Sequence, residues 1–263
     1  MRGLSDKRLR LVTLALLVVT SQVAAQDLAS AGHASVPKVV LVELFTSEGC
    51  SSCPPADALL KQVNGMKTAS GQLIVGISEH VTYWNSLGWS DPFSSPVYTD
   101  RQNAYGTSFG LDSVYTPQMV VNGRQQFVGS DKSHLERAIR AESDQSQPVT
   151  LHIVDANSAA NSLTVRFSAS SDKSFYGADI IAVLADDADQ SSVLRGENSG
   201  RSLTHVSVAR SITRVAKLQA TPEQSVVIQI PGSFNTKPGH HLILFAQVHG
   251  NGRVLGADTK ALP

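Results

Sequence analysis

Apolar and polar positions follow two different textures along this chain, and they change over near Pro148. Before that point, buried-strand runs alternate with helical periodicity. Val39 to Phe45 is almost unbroken apolar, the pattern of a strand covered on both faces, with one acid, Glu43, in its middle. After a turn from Thr46 to Gly49, Ala56, Leu59, Leu60 and Val63 recur at the spacing of one helix face. Pro54 and Pro55 fix where that helix starts, because proline is tolerated only in a first turn, where its missing N–H has no partner. Leu73 to Ser78 reads as a second buried strand, far enough along for a crossover connection and hence for parallel pairing. Ser95-Pro96 predicts a helix start, and Gly110 its end. Gln118 to Val121, Asn122-Gly123 and Gln126 to Gly129 predict a hairpin. A last helix is expected from Asp131 to Glu142. The predicted order is β-α-β-α-β-β-α.

From Pro148 the apolar positions alternate with period two. Leu151/Ile153, Leu163/Val165/Phe167, Ile180/Ala182/Leu184, Val226/Ile228/Ile230 and Leu242/Leu244/Ala246/Val248 are each bounded by turn-forming residues. That texture predicts a β-sandwich of short strands. The expected organisation is an α/β domain, a mixed sheet flanked by helices, over 38–143. A linker from Ser143 to Gln147 then leads to an all-β sandwich-like domain over 148–263.

Composition adds limits. The 263 residues are 41% hydrophobic and 17% charged, enough for a sizeable core. The 22 basic and 22 acidic residues balance, so no basic footprint for nucleic acid or an anionic membrane is present. The N-terminus reads as an address: Arg2, Lys7, Arg8 and Arg10 precede an apolar run from Leu11 to Val19, and Val23-Ala24-Ala25 offers a cleavage point. Residues 1–25 are expected to be a signal peptide and 26–37 a loose leader. The apolar run is short for a membrane span, which needs about 20 residues. An exported protein, periplasmic or secreted, is expected, with no span once the signal is cleaved.

Against that background the cysteines change the picture, because the sequence has two and they are Cys50 and Cys53. A bridge between them closes too short a loop to restrain the unfolded chain much, so chemistry is the better reason for the pair. CxxC beside a βαβ pattern reads as a redox motif. Cys50, facing a helix N-terminus, is expected to be the exposed attacking sulfur, and Cys53 the resolving one. A tetrahedral metal site lacks its second cysteine pair, although histidines can substitute and thiolates favour Cu(I). Glu43 is either a buried acid able to accept the resolving thiol's proton or a solvated edge residue. Pro117, after Thr116 at a strand start, is either cis or an ordinary trans proline. His80, at the end of the second strand, is a candidate thiolate stabiliser or proton shuttle. Tyr83, Trp84 and Trp89, with Phe93, either line a peptide groove or fill the core of a long loop. Arg201 and His205 either belong to an interdomain or ligand surface or, the preferred reading, are satisfied residues of a β-domain loop.

These residues resemble known families. Val42-Glu43-Leu44-Phe45, Cys50-Ser51-Ser52-Cys53, Thr116-Pro117-Gln118 and Asn122-Gly123 are similar to the thioredoxin superfamily. That resemblance implies a thioredoxin-like first domain, with Glu43 as buried acid, Cys50 as nucleophile, Cys53 as resolving thiol and Pro117 as cis-proline. The run from Leu44 to Asp57 resembles more closely a family of exported bacterial proteins, domain of unknown function 1223. So do Ser78-Glu79-His80-Val81, Val114 to Gly123, Gly196 to Arg201 and Leu203-Thr204-His205. The expectation is a thiol–disulfide oxidoreductase acting on protein disulfides or a redox partner, with no cofactor beyond the Cys50–Cys53 disulfide and no metal. Catalytic candidates are Cys50, Cys53, Pro117, Glu43 and His80. Substrate-binding candidates are Thr116, Tyr83, Trp84 and Trp89. Alternatives are a soft-metal (Cu or Zn) binding protein and a redox-sensitive adaptor without turnover.

Overall fold

The apolar run after Lys38 forms β1, Val39–Thr46, and all of its residues are buried. The computed structural model describes residues 38–171, 177–232, 234 and 239–263. The expected signal peptide and leader lie outside these described residues. Next come α1 (Pro54–Val63) and β2 (Leu73–His80), then a 3₁₀ turn at Asn85–Leu87 and α2 (Pro96–Ser108). The hairpin of β3 (Gln118–Val121) and β4 (Gln125–Val128) precedes α3 (Lys132–Ser143). β2 runs parallel to β1, from Val39↔Leu73 to Thr46↔His80, while β3 lies antiparallel on the other side of β1. Ser95 caps α2 by accepting a hydrogen bond from the Val97 amide. Up to Ser143, the order of elements is the one the periodicity predicts.

The architecture is not. Seven strands follow: β5 (Val149–Ala159), β6 (Ser162–Ser171), β7 (Ala178–Ser192), β8 (Ser202–Lys217), β9 (Thr221–Gln229), β10 (His240–Val248) and β11 (Val254–Leu262). Four of them extend the first sheet, giving one eight-stranded mixed sheet in the order β11-β10-β7-β8-β2-β1-β3-β4. The junction is the parallel pairing of β2 with β8 at Ser78↔Val208. The remaining three, β5-β6-β9, form a second sheet. This overturns the expectation of a thioredoxin-like α/β domain followed by a separate all-β sandwich-like domain. The described fold is mostly β, and its main sheet crosses the expected boundary at 143–148.

The physical reason lies in β7 and β10. In a free-standing sandwich each strand has one dry face and one wet face. Here Ile180, Ala182, Leu184, Leu242 and Leu244 face the three-stranded sheet and pack with Leu151, Val165 and Phe167. The alternate residues Val183, Ala185, Ile243 and Phe245 pack with Leu41, Val75, Ile77 and Tyr98 from the first half of the chain. Both faces are dry, one packed within the second half of the chain and the other against the first half, so the two halves share a core. The described residues accordingly belong to one compact unit.

The hairpin turn shows how tightly the halves meet. Asn122 and Gly123 both have positive φ, 48° and 62°. The Asn122 side-chain oxygen accepts from the Leu41 amide at 2.8 Å, and its carbonyl accepts from the Val254 amide at 2.8 Å. A Cβ on Gly123 would lie 2.3 Å from the Gly252 carbonyl oxygen. Glycine is required there by both conformation and space. Among the described residues no helix is long and apolar enough to cross a membrane.

Candidate functional site

The turn after β1 is built by short-range bonds: the Cys50 amide donates to Ser47 O (3.1 Å) and the Cys53 amide to Cys50 O (3.2 Å). Cys53 is the N-cap of α1, with Pro54 and Pro55 filling its first turn. Cys50 and Cys53 are joined in a disulfide, with their Cα atoms 5.4 Å apart. Both cysteines are fully buried (0% exposed), so the expected exposure of Cys50 is corrected. The exposed residues of the turn are Ser51 and Ser52, and the Ser52 hydroxyl lies 3.4 Å from Cys50 Sγ.

Four sequence candidates, Thr116, Pro117, Trp84 and Trp89, lie around this turn and the first turn of α1. The Thr116–Pro117 peptide is cis, and Pro117 O accepts from the Gly129 amide at 2.8 Å. A Cβ on Gly129 would sit 3.1 Å from both Pro117 and Ala56, so the bare glycine lets the proline approach the first turn of α1. Trp84 donates its indole N–H to the Thr116 hydroxyl at 2.8 Å, and its Cβ lies against Gly49. Trp89 donates to Glu48 Oε2 at 2.8 Å. Both tryptophans are part-buried supports of the disulfide turn. Tyr83 stands further out, 39% exposed, with its hydroxyl donating to Gln102.

Glu43 is elsewhere. Side chains alternate along a strand. Val40, Val42 and Leu44 pack against α1, which sends Glu43 to the opposite face, toward α2. There Arg101 donates to its carboxylate at 2.6 Å and Tyr105 at 2.5 Å. The role of proton acceptor for Cys53 is therefore not one this geometry gives it. The second acid on that face, Glu79, is fully buried. Burial first, then the charge of Glu43, push its carboxyl well above the usual range.

The ionisable groups beneath the disulfide turn are different ones. Glu48, two residues before Cys50, accepts from Trp89 and from the Ser191 hydroxyl, and His205 Nε2 lies 3.3 Å from its Oε1. His205 Nδ1 is 3.6 Å from Asp57 Oδ1, an ion-pair distance longer than a hydrogen bond. Burial alone would lower the imidazole. Its contacts with Asp57 and Glu48 outweigh that and carry its pKa up to about 10. Burial likewise works against ionised Glu48, but His205, Ser191 and Trp89 hold its carboxyl below the usual range. His80 adjoins this group, its ring centroid 4.6 Å from that of His205. Its Nδ1 pairs with Asp91 at 2.7 Å and its Nε2 meets the Ser78 hydroxyl at 3.2 Å. Asp91 in turn accepts from the Glu48 amide at 2.8 Å. His80 thus belongs to the support of the turn.

Sequence reasoning placed His205 in a β-domain loop. It sits on β8, the strand that joins the two halves of the sheet, and β8 packs against α1. The loop between β7 and β8 was missed as well. Asn198, itself fully buried, donates its side-chain amide to Glu48 O and to Cys50 O, both at 2.9 Å. Glu197 accepts from the Ser51 amide at 3.0 Å. The available signal was the Gly196–Arg201 motif, whose pairing with the cysteine turn is not encoded in local periodicity. Among the described residues, no group of three or more His, Cys, Asp or Glu side chains is arranged to hold a metal ion.

Fold and site together define a mostly β protein whose buried CxxC disulfide sits at a helix start and is bonded by a loop from the second half of the chain, with a cis-proline packed near the first turn of that helix. The chain belongs to the family described as "Protein of unknown function (DUF1223)", whose model matches residues 41–247. Among solved structures it is similar to protein AGR_C_4864 from Agrobacterium tumefaciens, at 25% identity over 85% of this chain and 93% of that one, with a TM-score of 0.61. It is also similar to HBP35 of Porphyromonas gingivalis, at 16% identity over 87% of this chain and 76% of that one, with a TM-score of 0.64, a likeness of fold alone. No curated protein matches.

Proposed function

We propose that this is an exported thiol–disulfide oxidoreductase that exchanges disulfides through Cys50 and Cys53. The observation that carries the reading is the disulfide itself. A bridge across two intervening residues adds little stability by loop closure, yet the chain fixes its turn with Asn198, with Trp89 on Glu48 and with a buried ion cluster of Glu48, His205 and Asp57. The resemblance to the thioredoxin superfamily at Cys50–Cys53 and Thr116-Pro117 supports the chemistry and has no bearing on the architecture. The basic and apolar leader supports export, and exported compartments are where disulfides persist.

In the forward direction a partner thiolate attacks Cys50 Sγ. The Cys50–Cys53 bond breaks, a mixed disulfide forms, and Cys53 leaves as a thiolate that takes up a proton. A second thiolate of the partner then attacks its own sulfur in the mixed disulfide and releases Cys50. Two electrons pass from the partner dithiol to the cysteine pair. The reverse sequence reduces a partner disulfide. The N-terminus of α1, which Cys53 caps and which Cys50 approaches from three residues earlier, favours a thiolate at the pair.

The test is a trapping experiment. Reduced Cys53→Ser protein, mixed with a small aromatic disulfide, is expected to hold a stable mixed disulfide at Cys50, whereas the reduced wild type resolves it and releases the second thiol. Equal lifetimes of the adduct in the two proteins would remove the resolving role of Cys53 and with it this proposal.

A further inference from the structure

We infer that Glu197 and Asn198 hold the Cys50–Cys53 disulfide shut, and that the thiol suited to open it is a cysteine within an extended protein segment. The inference rests on the exchange reading of the same site. Neither cysteine is exposed in this state, so an attacking thiolate requires something to move. The β7–β8 loop is the element in place. Its base is closed by bonds from the Val193 amide to Arg201 O and from the Gly200 amide to Val193 O, 2.9 and 2.8 Å. Its tip is bent by Gly196 and Gly200, both at positive φ.

The chemistry of the tip is that of a stand-in for a peptide. The Asn198 amide donates to Glu48 O and Cys50 O, as a peptide N–H would. The Glu197 carboxylate accepts from the Ser51 amide, as a peptide carbonyl would. Arg201 holds Asn198 Oδ1 at 3.1 Å, which fixes the side-chain amide so that its N–H groups face the turn. An extended segment brings backbone donors and acceptors that replace these bonds as the loop leaves. A small thiol has none, and meets a turn whose polar groups lose their partners on opening. The seal is local: Glu197 is exposed, and at the tip of the loop Asn198 is buried, as Val193 is at its base.

Opening of the disulfide by dithiothreitol and by a short extended peptide bearing one cysteine tests this directly; the peptide thiolate forms a mixed disulfide with Cys50 and frees the Cys53 thiolate, and in both reactions the freed thiol is trapped by alkylation. Dithiothreitol supplies both electrons: one thiolate attacks Cys50, and its second closes the ring and releases the reduced pair. The wild type is expected to react faster with the peptide at equal thiolate concentration. Asn198→Ala, which loses two hydrogen bonds, is expected to react about tenfold faster with dithiothreitol, narrowing the peptide's advantage. Glu197→Gln, at an exposed position, is expected to give a smaller rise of about threefold and keeps the test open if Asn198→Ala folds poorly. Unchanged dithiothreitol rates in both variants, or a wild type indifferent to the peptide, overturn the inference. Its failure is separable from that of the exchange reading, because dithiothreitol opens any accessible disulfide whether or not Cys53 resolves a mixed one.

Discussion

Replacing His205 with leucine is expected to cost about 3–5 kcal/mol of stability near neutral pH, the range for breaking a buried ion pair on one side. The side chain is 1% exposed and sits between Glu48 and Asp57, which are 0% and 6% exposed. Without the imidazolium, two buried carboxylates face each other across a leucine. The pH dependence has a definite sign. His205 is raised from 6.5 to about 10 in the folded protein. The stability it contributes is therefore fully present below about 6.5 and is lost as pH rises through about 10. Urea unfolding of wild type and variant checks both parts: the gap between them is expected to be large at neutral pH and to shrink in alkali. A variant within 1 kcal/mol of wild type at neutral pH would show that the cluster is not ionised as described.

Arg101→Leu is expected to have an effect of the same size, about 3–5 kcal/mol, at the other buried charge cluster. Arg101 lies in α2 but binds both halves of the sheet. It donates to Glu43 and meets Tyr105, and it reaches Gln247 on β10 at 3.1 Å and Asn251 at 3.3 Å. Glu79 is 3.7 Å away. Losing the guanidinium leaves Glu43 without its cation, beside a second buried acid, Glu79, whose carboxyl is pushed well above the usual range by burial and by the charge of Glu43. Adding Glu43→Leu to Arg101→Leu is expected to recover most of the loss, since replacing both members of a buried pair by apolar groups costs far less than removing one. A double variant no better than the single one would contradict the pairing. Glu79 gives this cluster its own pH signature. With its folded pKa above the ordinary 4.5, the folded state binds the extra proton. Its contribution therefore turns against folding as pH rises above about 4.5, and Glu79→Gln is expected to flatten that slope in the same unfolding series.

The two clusters also show where sequence reading stops. Val39 to Phe45, the Ser95-Pro96 cap, the Asn122-Gly123 turn and the α1 face were legible because each is set by contacts within a few residues. The cysteine pair was legible because its spacing has a chemical meaning of its own. The sheet that joins the halves was not. Ile180, Ala182 and Leu184 alternate as a half-wet strand would, and the small or aliphatic residues between them, Ile181, Val183 and Ala185, carry no sign of what covers them. The same limit misplaced the acid. Glu43 lies in a run apolar on both sides, so composition cannot say which sheet face it takes, and only the packing of Val42 and Leu44 on α1 decides it. His205 and Asn198 lie about 150 residues from the cysteines. Their pairing with that turn depends on β8 running beside β2, and no short-range pattern announces it.

The central claim is that Cys50 and Cys53 form a working redox couple, and the most direct measurement is their reduction midpoint. Protein equilibrated in glutathione buffers of graded poise and quenched by thiol alkylation is expected to pass through one reversible two-electron transition, reached from either the oxidised or the reduced side and absent in Cys50→Ser. A pair that stays oxidised across the whole series until the protein unfolds, or that once reduced does not close again, would contradict the account and make the disulfide a fixed part of the fold.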